Sequence, residues 1–237
     1  MQSNEEEIPS QPEGQERYQR NLGTLGLDGQ RTLFSSRIVI VGLGGLGGHV
    51  LEQMARAGAG HITGIDPDVF EASNLNRQIL SDVDSMGVSK VQRAKERIEQ
   101  VRPETVFVGM EKRHTDADER IWAQADLVFD CLDSITDRLS LAQICSNADC
   151  TLIHGAIAGW YGQVAVVRPG SGLLTRLYPE TGPGLEKELG TPPFTAALVA
   201  SLMVAEGVKV ICGINKEDRD RVKYIDLKDG SLWSVDV

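Results

Sequence analysis

The residues best suited to chemistry begin with Gly42-Leu43-Gly44-Gly45-Leu46-Gly47, a GxGxxG that directly follows the apolar run Ile38–Val41. Glycine at these positions lets the backbone turn tightly and approach a phosphate, and the free N–H groups and dipole of a following helix favour an anion. Asp66 stands about 20 residues on, at the end of the next apolar run, where an acid can bind ribose hydroxyls. Together these residues imply an adenine nucleotide or dinucleotide. The stretch Asp66-Pro67-Asp68-Val69-Phe70-Glu71-Ala72-Ser73-Asn74-Leu75-Asn76-Arg77-Gln78 then gathers polar groups that a dinucleotide dehydrogenase has no evident use for. Arg77 can grip phosphate oxygens with its planar fork and Asn74 can donate from its amide, which suits a triphosphate. Lys90 follows the capping residue Ser89, so its charge opposes the helix dipole at a cost of ~0.3–1 kcal/mol that a bound triphosphate would reverse. Asp133 can hold Mg²⁺ through its carboxylate. Asp130 competes for that role, but it lies inside an apolar run that Asp133 has left.

These residues need elements to position them, and from Arg37 the pattern supplies a βαβ series. Strands are expected at Ile38–Val41, His61–Ile65, Val106–Met110, Leu127–Leu132 and Thr151–His154. Helices are expected at Leu46–Ala57, from the Ser89/Gln92 capping box to Val101, and at Ile135–Ala148. Gly42, Asp66 and Asp133 all fall at carboxyl ends of strands, where doubly wound sheets bind ligands. Beyond His154 the rhythm changes: Gly162–Arg168, Val222–Leu227 and Leu232–Val235 read as strands with no long helix between successive members. The last two flank Asp229-Gly230, a tight-hairpin signal. The expected fold is therefore α/β, a Rossmann-like and mainly parallel sheet with helices on both faces, extended by antiparallel C-terminal strands. A Gly- and Pro-containing stretch over about 170–191 exceeds ordinary connections and reads as a functional crossover loop. His154 ends its strand and is expected to be hydrogen-bonded there rather than to face a substrate.

The chain has 237 residues and a formal charge of -10, with a pI near 4.9. That length suits one domain, here 15–237, preceded by a disordered tail over 1–14 with no basic start or apolar core of a signal peptide. The acidic balance disfavours a broad nucleic-acid surface. Phe194–Ile211 is the one long apolar stretch, and its interruptions Thr195, Ser201, Glu206 and Lys209 favour a buried helix over a membrane span. Cys131, Cys145, Cys150 and Cys212 show no CxxC spacing, so neither a disulfide framework nor a thiolate zinc site is expected, and a reducing cytoplasm is the default.

Arg17-Tyr18-Gln19-Arg20-Asn21, the GxGGxG loop, Asp66-x-Asp68 leading to Ser73-Asn74-Leu75-Asn76-Arg77-Gln78, Lys90 and Asp133 together resemble the ThiF/MoeB/HesA family, relatives of the ubiquitin-activating enzymes. The resemblance covers about Arg17 to Gly213. It implies ATP-dependent adenylation of a carboxylate, typically the terminal glycine of a ubiquitin-like sulfur carrier (ThiS- or MoaD-like, as in thiamine and molybdopterin biosynthesis), by a cytoplasmic homodimer using Mg²⁺. On that pattern Asp66 would bind the ribose, with Asp68 in the same nucleotide-binding set. Asn74, Arg77 and Lys90 would bind the triphosphate, Gln78 would join the neighbouring polar network, and Asp133 would bind the metal. Arg20 would reach the partner subunit's site. Two departures stand out. Leu173 and Arg176 occupy the positions of a zinc-binding cysteine pair, and no second pair follows Cys212, so no zinc is expected. The crossover loop holds no cysteine for a thioester, so the chemistry is expected to stop at the acyl adenylate. Ser134 also follows Asp133 where relatives commonly carry Asn. A small or tRNA-linked carboxylate, a NAD-dependent oxidoreductase and a non-catalytic nucleotide-binding regulator remain alternatives on the residues alone.

Overall fold

The computed structural model describes residues 16–179, 184–214 and 220–237. The tail over 1–14 and a short part of the crossover segment lie outside the described residues. The first half of the chain forms α1 (Gln19–Ser35), β1 (Arg37–Val41), α2 (Gly45–Ala57), β2 (His61–Ile65), α3 (Lys90–Val101), β3 (Val106–Met110), α4 (Glu119–Ala123) and β4 (Leu127–Asp130). The second half forms α5 (Ile135–Asn147), β5 (Leu152–Ala158), β6 (Tyr161–Val167), α6 (Leu173–Leu177), α7 (Glu186–Leu189), α8 (Pro193–Ile211), β7 (Arg221–Asp226) and β8 (Ser231–Asp236).

One sheet carries all the strands in the order β3-β2-β1-β4-β5-β6-β7-β8. Pairings from β3 to β5 are parallel and those from β5 to β8 antiparallel. The run Ile38-Val39-Ile40-Val41 is apolar throughout because both of its faces are covered. Ile38 and Ile40 enter a core with α2, α3 and α8, while Val39 and Val41 enter a second core with α4, α5 and α6. Full burial of each such side chain contributes about 1.5–3 kcal/mol. The long apolar stretch is α8, whose Val199, Ala200 and Met203 are fully buried in the first of these cores. It lies close on the sheet because Gly155 and Gly207 leave room: a Cβ on either would come within 2.2 Å of Met203 Sδ or 2.5 Å of Phe129 Cζ.

Several boundaries differ from the sequence expectation. β4 ends at Asp130, not Leu132, because the Asp130 carboxylate takes the Leu132 N–H at 3.1 Å and turns the chain out of the sheet. β5 continues four residues past His154 because β6 pairs with it along its whole length across the turn at Gly159-Trp160. α4, α6 and α7 are only four or five residues long, too short to show a period, and α1 is interrupted by Gly23, Gly26 and Gly29 with a kink at Gly26; α6 and α7 lie within the stretch read as a loop.

Two ionic features lock the frame. Arg102, 1% exposed, caps α3 and donates to the Tyr18 hydroxyl (2.6 Å), the Ala59 carbonyl (2.7 Å) and Thr105 Oγ1 (2.7 Å). These contacts pin the start of α1 at the amino ends of β2 and β3. Glu52 on α2 receives Arg97 from α3 through two bonds of 2.6 and 2.8 Å, and Arg56 at 2.7 Å. Burial opposes Glu52 ionisation, yet the two guanidiniums hold its pKa below the ordinary carboxylate value. A depressed folded pKa stabilises above the unfolded value of about 4.3, and the benefit is lost as pH falls through the folded pKa. Glu52→Gln is therefore expected to cost about 1–2 kcal/mol at pH 7, the exposed guanidiniums being partly screened. In urea unfolding the difference from wild type should shrink steadily below about pH 4; a difference that is constant with pH would refute the ion-pair account.

Candidate functional site

β1 is flanked by β2 on one side and β4 on the other, so the crevice beyond their carboxyl ends is the topological switch point of the sheet. A cavity of about 430 Å³ opens there. Its wall includes Gly42, Gly44, Gly45, Asp66, Asp68, Arg77, Gln78, Lys90 and Asp133.

The glycine loop is shaped by close backbone approach. Gly42 has φ +87°, and a Cβ there would sit 2.7 Å from the Cys131 carbonyl oxygen. Gly47 lies behind the wall, where a Cβ would fall 1.7 Å from the Gly42 oxygen. Gly44 and Gly45 leave the cavity side open, each with a side-chain atom of Gln78 or Arg77 at 3.4 Å from the Cβ position. α2 then starts without a side-chain cap, so its first N–H groups have no intrahelical partner.

Asp66 is 3% exposed and braces this loop, accepting the Leu43 N–H at 2.7 Å and the Asp68 N–H at 2.9 Å. Burial pushes its pKa up, and the Lys90 ammonium, 3.6 Å away, pulls against that rise together with the two backbone donors. Each carboxylate oxygen keeps acceptor capacity for a ribose hydroxyl. Lys90 also pairs with Asp68 at 2.9 Å. That ion pair, invisible in the sequence reading of the helix start, offsets the unfavourable dipole at Lys90 before any phosphate is bound.

Arg77 is held in place by bonds from Nη1 to the Ser73 carbonyl (3.0 Å) and Asn76 Oδ1 (2.8 Å). Asn74 lies outside the cavity wall. Its Oδ1 accepts the Glu71 N–H at 3.0 Å, and its carbonyl accepts from the Arg77 and Gln78 backbones, so it shapes the turn that presents both. Gln78 is 6% exposed, and its Oε1 has no partner. Asp133 presents an exposed carboxylate in the wall, whereas Asp130 is fully buried and occupied by Leu132 and by His154 at 2.7 Å. His154 lies within β5 rather than at its end, fully buried, with both ring nitrogens engaged. Arg20 is exposed on α1, two residues after the Tyr18 that Arg102 holds at the amino ends of β2 and β3, and it is not among the residues of the cavity wall.

The structure adds cations that the sequence reading missed: Lys112, Arg113, Arg138 and Lys187 also line the cavity. Lys112 and Arg113 follow β3 at its carboxyl end, and the rule that singled out Asp66 applies to them equally. Lys187, on α7, carries no comparable signal. The same wall carries Asp66, Asp68, Asp133, Asp137 and Glu186, with Lys90 paired to Asp68 and Arg113 to Asp137, so these cations balance the acids there in a chain of net charge -10.

The sequence pattern that defines the ThiF family matches residues 18–236. The molybdopterin-synthase adenylyltransferase of Escherichia coli K12 is 32% identical over 218 residues, spanning 89% of this chain and 87% of that protein. The sulfur carrier protein ThiS adenylyltransferase of the same organism is 31% identical over 205 residues, spanning 84% and 82%. Escherichia coli MccB, crystallised with ATP, superposes with a TM-score of 0.76 at 20% identity over 93% of this chain and 71% of its own, and shares the fold. Because the family pattern takes in every strand of the sheet and every residue of the crevice, the chain belongs to the ThiF family.

Proposed function

We propose that the chain catalyses ATP- and Mg²⁺-dependent adenylation of the C-terminal glycine carboxylate of a ubiquitin-like sulfur-carrier protein. The observation that carries this reading is the convergence of the glycine loop, Arg77, Lys90 and the Asp133 carboxylate on one crevice of a ThiF-family chain. A carboxylate oxygen attacks the α-phosphorus, the bond from that phosphorus to the bridging oxygen breaks, and pyrophosphate leaves with the electron pair. No general base is needed, since the attacking carboxylate is ionised at neutral pH. Arg77 and Lys90 meet the charge that grows on the phosphate oxygens, and loss of one such fixed donor costs about 3 kcal/mol. Asp66 orients the ribose and Asp68 holds Lys90 in place.

Asp133 is a hard oxygen donor of the kind Mg²⁺ takes. Among the described residues no group of three or more His, Cys, Asp or Glu gathers to hold a metal ion, so phosphate and water would complete the shell. When bound, the ion neutralises phosphate charge.

α1 leaves Arg20 at the amino ends of strands five residues long, roughly 17 Å from the crevice at ~3.3 Å per residue. That separation supports the reading in which Arg20 acts in the cavity of a second copy and the enzyme is a homodimer. Burial pushes all four thiols up, Cys150 to about 11, which leaves little thiolate and supports chemistry that stops at the acyl adenylate. The acidic charge and the packing of α8 against α2 and the strands β5 and β6 support a cytoplasmic protein that binds neither nucleic acid nor membrane.

ATP–pyrophosphate exchange with Mg²⁺, measured with and without carriers ending in Gly-Gly, tests this reading. Exchange that depends on a carrier is the expected result. ATP binding without exchange for any carrier would point to a small or tRNA-linked carboxylate, and binding of NAD in place of ATP would refute the proposal.

A further inference from the structure

Behind the Asp133 turn lies a closed circuit of hydrogen bonds built from four elements and one loop. Asp130 ends β4, His154 is on β5, Gln163 on β6 and Arg138 on α5, while Tyr178 follows α6. Asp130 and His154 are fully buried, and Arg138 is 6% exposed. The Tyr178 hydroxyl lies 3.0 Å from Arg138 Nη1, 3.0 Å from His154 Nε2 and within hydrogen-bond reach of Gln163 Nε2. Arginine and amide nitrogens can only donate, so they occupy the acceptor positions of the hydroxyl, and its single proton goes to His154 Nε2. His154 is then neutral with its proton on Nδ1, donated to Asp130 Oδ2 at 2.7 Å. Burial, the largest influence on this imidazole, agrees by holding its pKa below the ordinary value.

The circuit closes on one residue. Asp130 Oδ1 accepts the Leu132 N–H at 3.1 Å, and Arg138 donates to the Leu132 carbonyl through Nε at 3.1 Å and Nη2 at 2.7 Å. Leu132 is thus clamped at both its N–H and its carbonyl, one residue before Asp133. The remaining charges form a balanced pair, Asp130 and Arg138, bridged by two neutral side chains. A stability role alone is a weak explanation for such a set, because apolar residues of similar volume usually serve stability as well or better.

We propose that Tyr178, through His154 and Arg138, is a positioning residue for Asp133, holding the turn that presents the metal-binding carboxylate to the nucleotide. The inference rests on the adenylation reading for what Asp133 does, but not for how its turn is held. Tyr178→Phe removes the common partner of the Arg138, Gln163 and His154 nitrogens; Gln163 Nε2, 3.2 Å from His154 Nε2, can still donate there, but the link from His154 to Arg138 is broken. His154→Gln can conserve it, since one amide donates to Asp130 and accepts from Tyr178, whereas His154→Leu can do neither.

Amide hydrogen exchange over residues 131–134 in the full-length protein, run well below each variant's melting temperature, tests the positioning directly. Tyr178→Phe and His154→Leu should exchange there about tenfold faster than wild type, with other core segments unchanged and His154→Gln close to wild type. In parallel, ATP affinity in EDTA should stay within about twofold while the gain in affinity on adding Mg²⁺ is lost in the same two variants. Unchanged exchange at 131–134 in folded Tyr178→Phe, or equal effects of Gln and Leu at position 154, would overturn the inference. If wild type shows no pyrophosphate exchange, the adenylation reading fails while the hydrogen-exchange arm still decides the positioning.

Discussion

Arg77→Ala is expected to lower kcat for ATP–pyrophosphate exchange by about 10²–10³-fold, the cost of one preorganised donor to a transition-state oxyanion. The guanidinium is held by Ser73 and Asn76, and Asn76 in turn donates to the Thr191 carbonyl at 3.1 Å, so the fork is oriented before substrate arrives. Its surroundings are partly exposed, so stability should move by no more than about 0.5 kcal/mol. Arg77→Lys should not restore activity, because an ammonium cannot reproduce a planar fork. A rise in KM with unchanged kcat would instead mean that Arg77 binds ground state and transition state equally. The same variant tests the dimer. If Arg20 enters the partner's cavity, mixing Arg77→Ala with Arg20→Ala chains places one intact site in each mixed dimer, and an equal mixture should recover about a quarter of wild-type activity. Arg20 acting within its own chain would give no recovery above either parent.

Gly47→Ala is expected to be the most damaging single methyl in the molecule. Its Cβ would lie 1.7 Å from the Gly42 oxygen and 2.8 Å from the Gly42 carbonyl carbon. Both are backbone atoms, and Gly42 is itself tied by its N–H to the Ile65 carbonyl at 2.8 Å, so nothing nearby can rotate aside. The expected loss is about 3–5 kcal/mol in urea unfolding, together with ATP affinity, because relief requires displacing the loop that cradles phosphate. Gly23→Ala in α1 is the matched control. Nothing lies within 4 Å of its Cβ position, so alanine should add about 0.5–1 kcal/mol through helix propensity. A Gly47→Ala protein that unfolds and binds ATP like wild type would show that the loop does not pack as described.

The residues that could be read in advance share one property: their neighbours in sequence are also their neighbours in space. The glycine loop sits between a strand and the helix it opens, and Asp66 ends the adjacent strand, so strand–turn–helix patterning located both. The residues that could not be read lack this. Asn74 and Asp68 read as ligand contacts by type, and Asp68 does line the crevice while Asn74 does not. The fold turns Asn74 back into its own loop, and within the crevice wall it sets Asp68 against Lys90, 22 residues away. α1 escaped notice because Gly23, Gly26 and Gly29 interrupt it and Gly26, at φ +67°, kinks the helix.

Residue types and spacing alone therefore determined the parallel α/β core, the antiparallel extension, the buried nature of α8 and a nucleotide crevice at the strand ends. These follow from local rules: two-sided burial of short apolar runs, caps, and glycine where the backbone must come close. The apolar run already favours Asp133 over Asp130 for the crevice, and the tertiary structure supplies what holds Asp130 away from it. Asp130 and Asp133 differ by three positions in one motif, and what separates them is His154, 24 residues on, which claims Asp130 for the interior. The tertiary structure also decided that Lys112, Arg113, Arg138 and Lys187 join the cavity wall and that Arg20 does not. Long-range pairing and the sidedness of a folded sheet leave no trace in local pattern, because they exist only once distant segments have packed together.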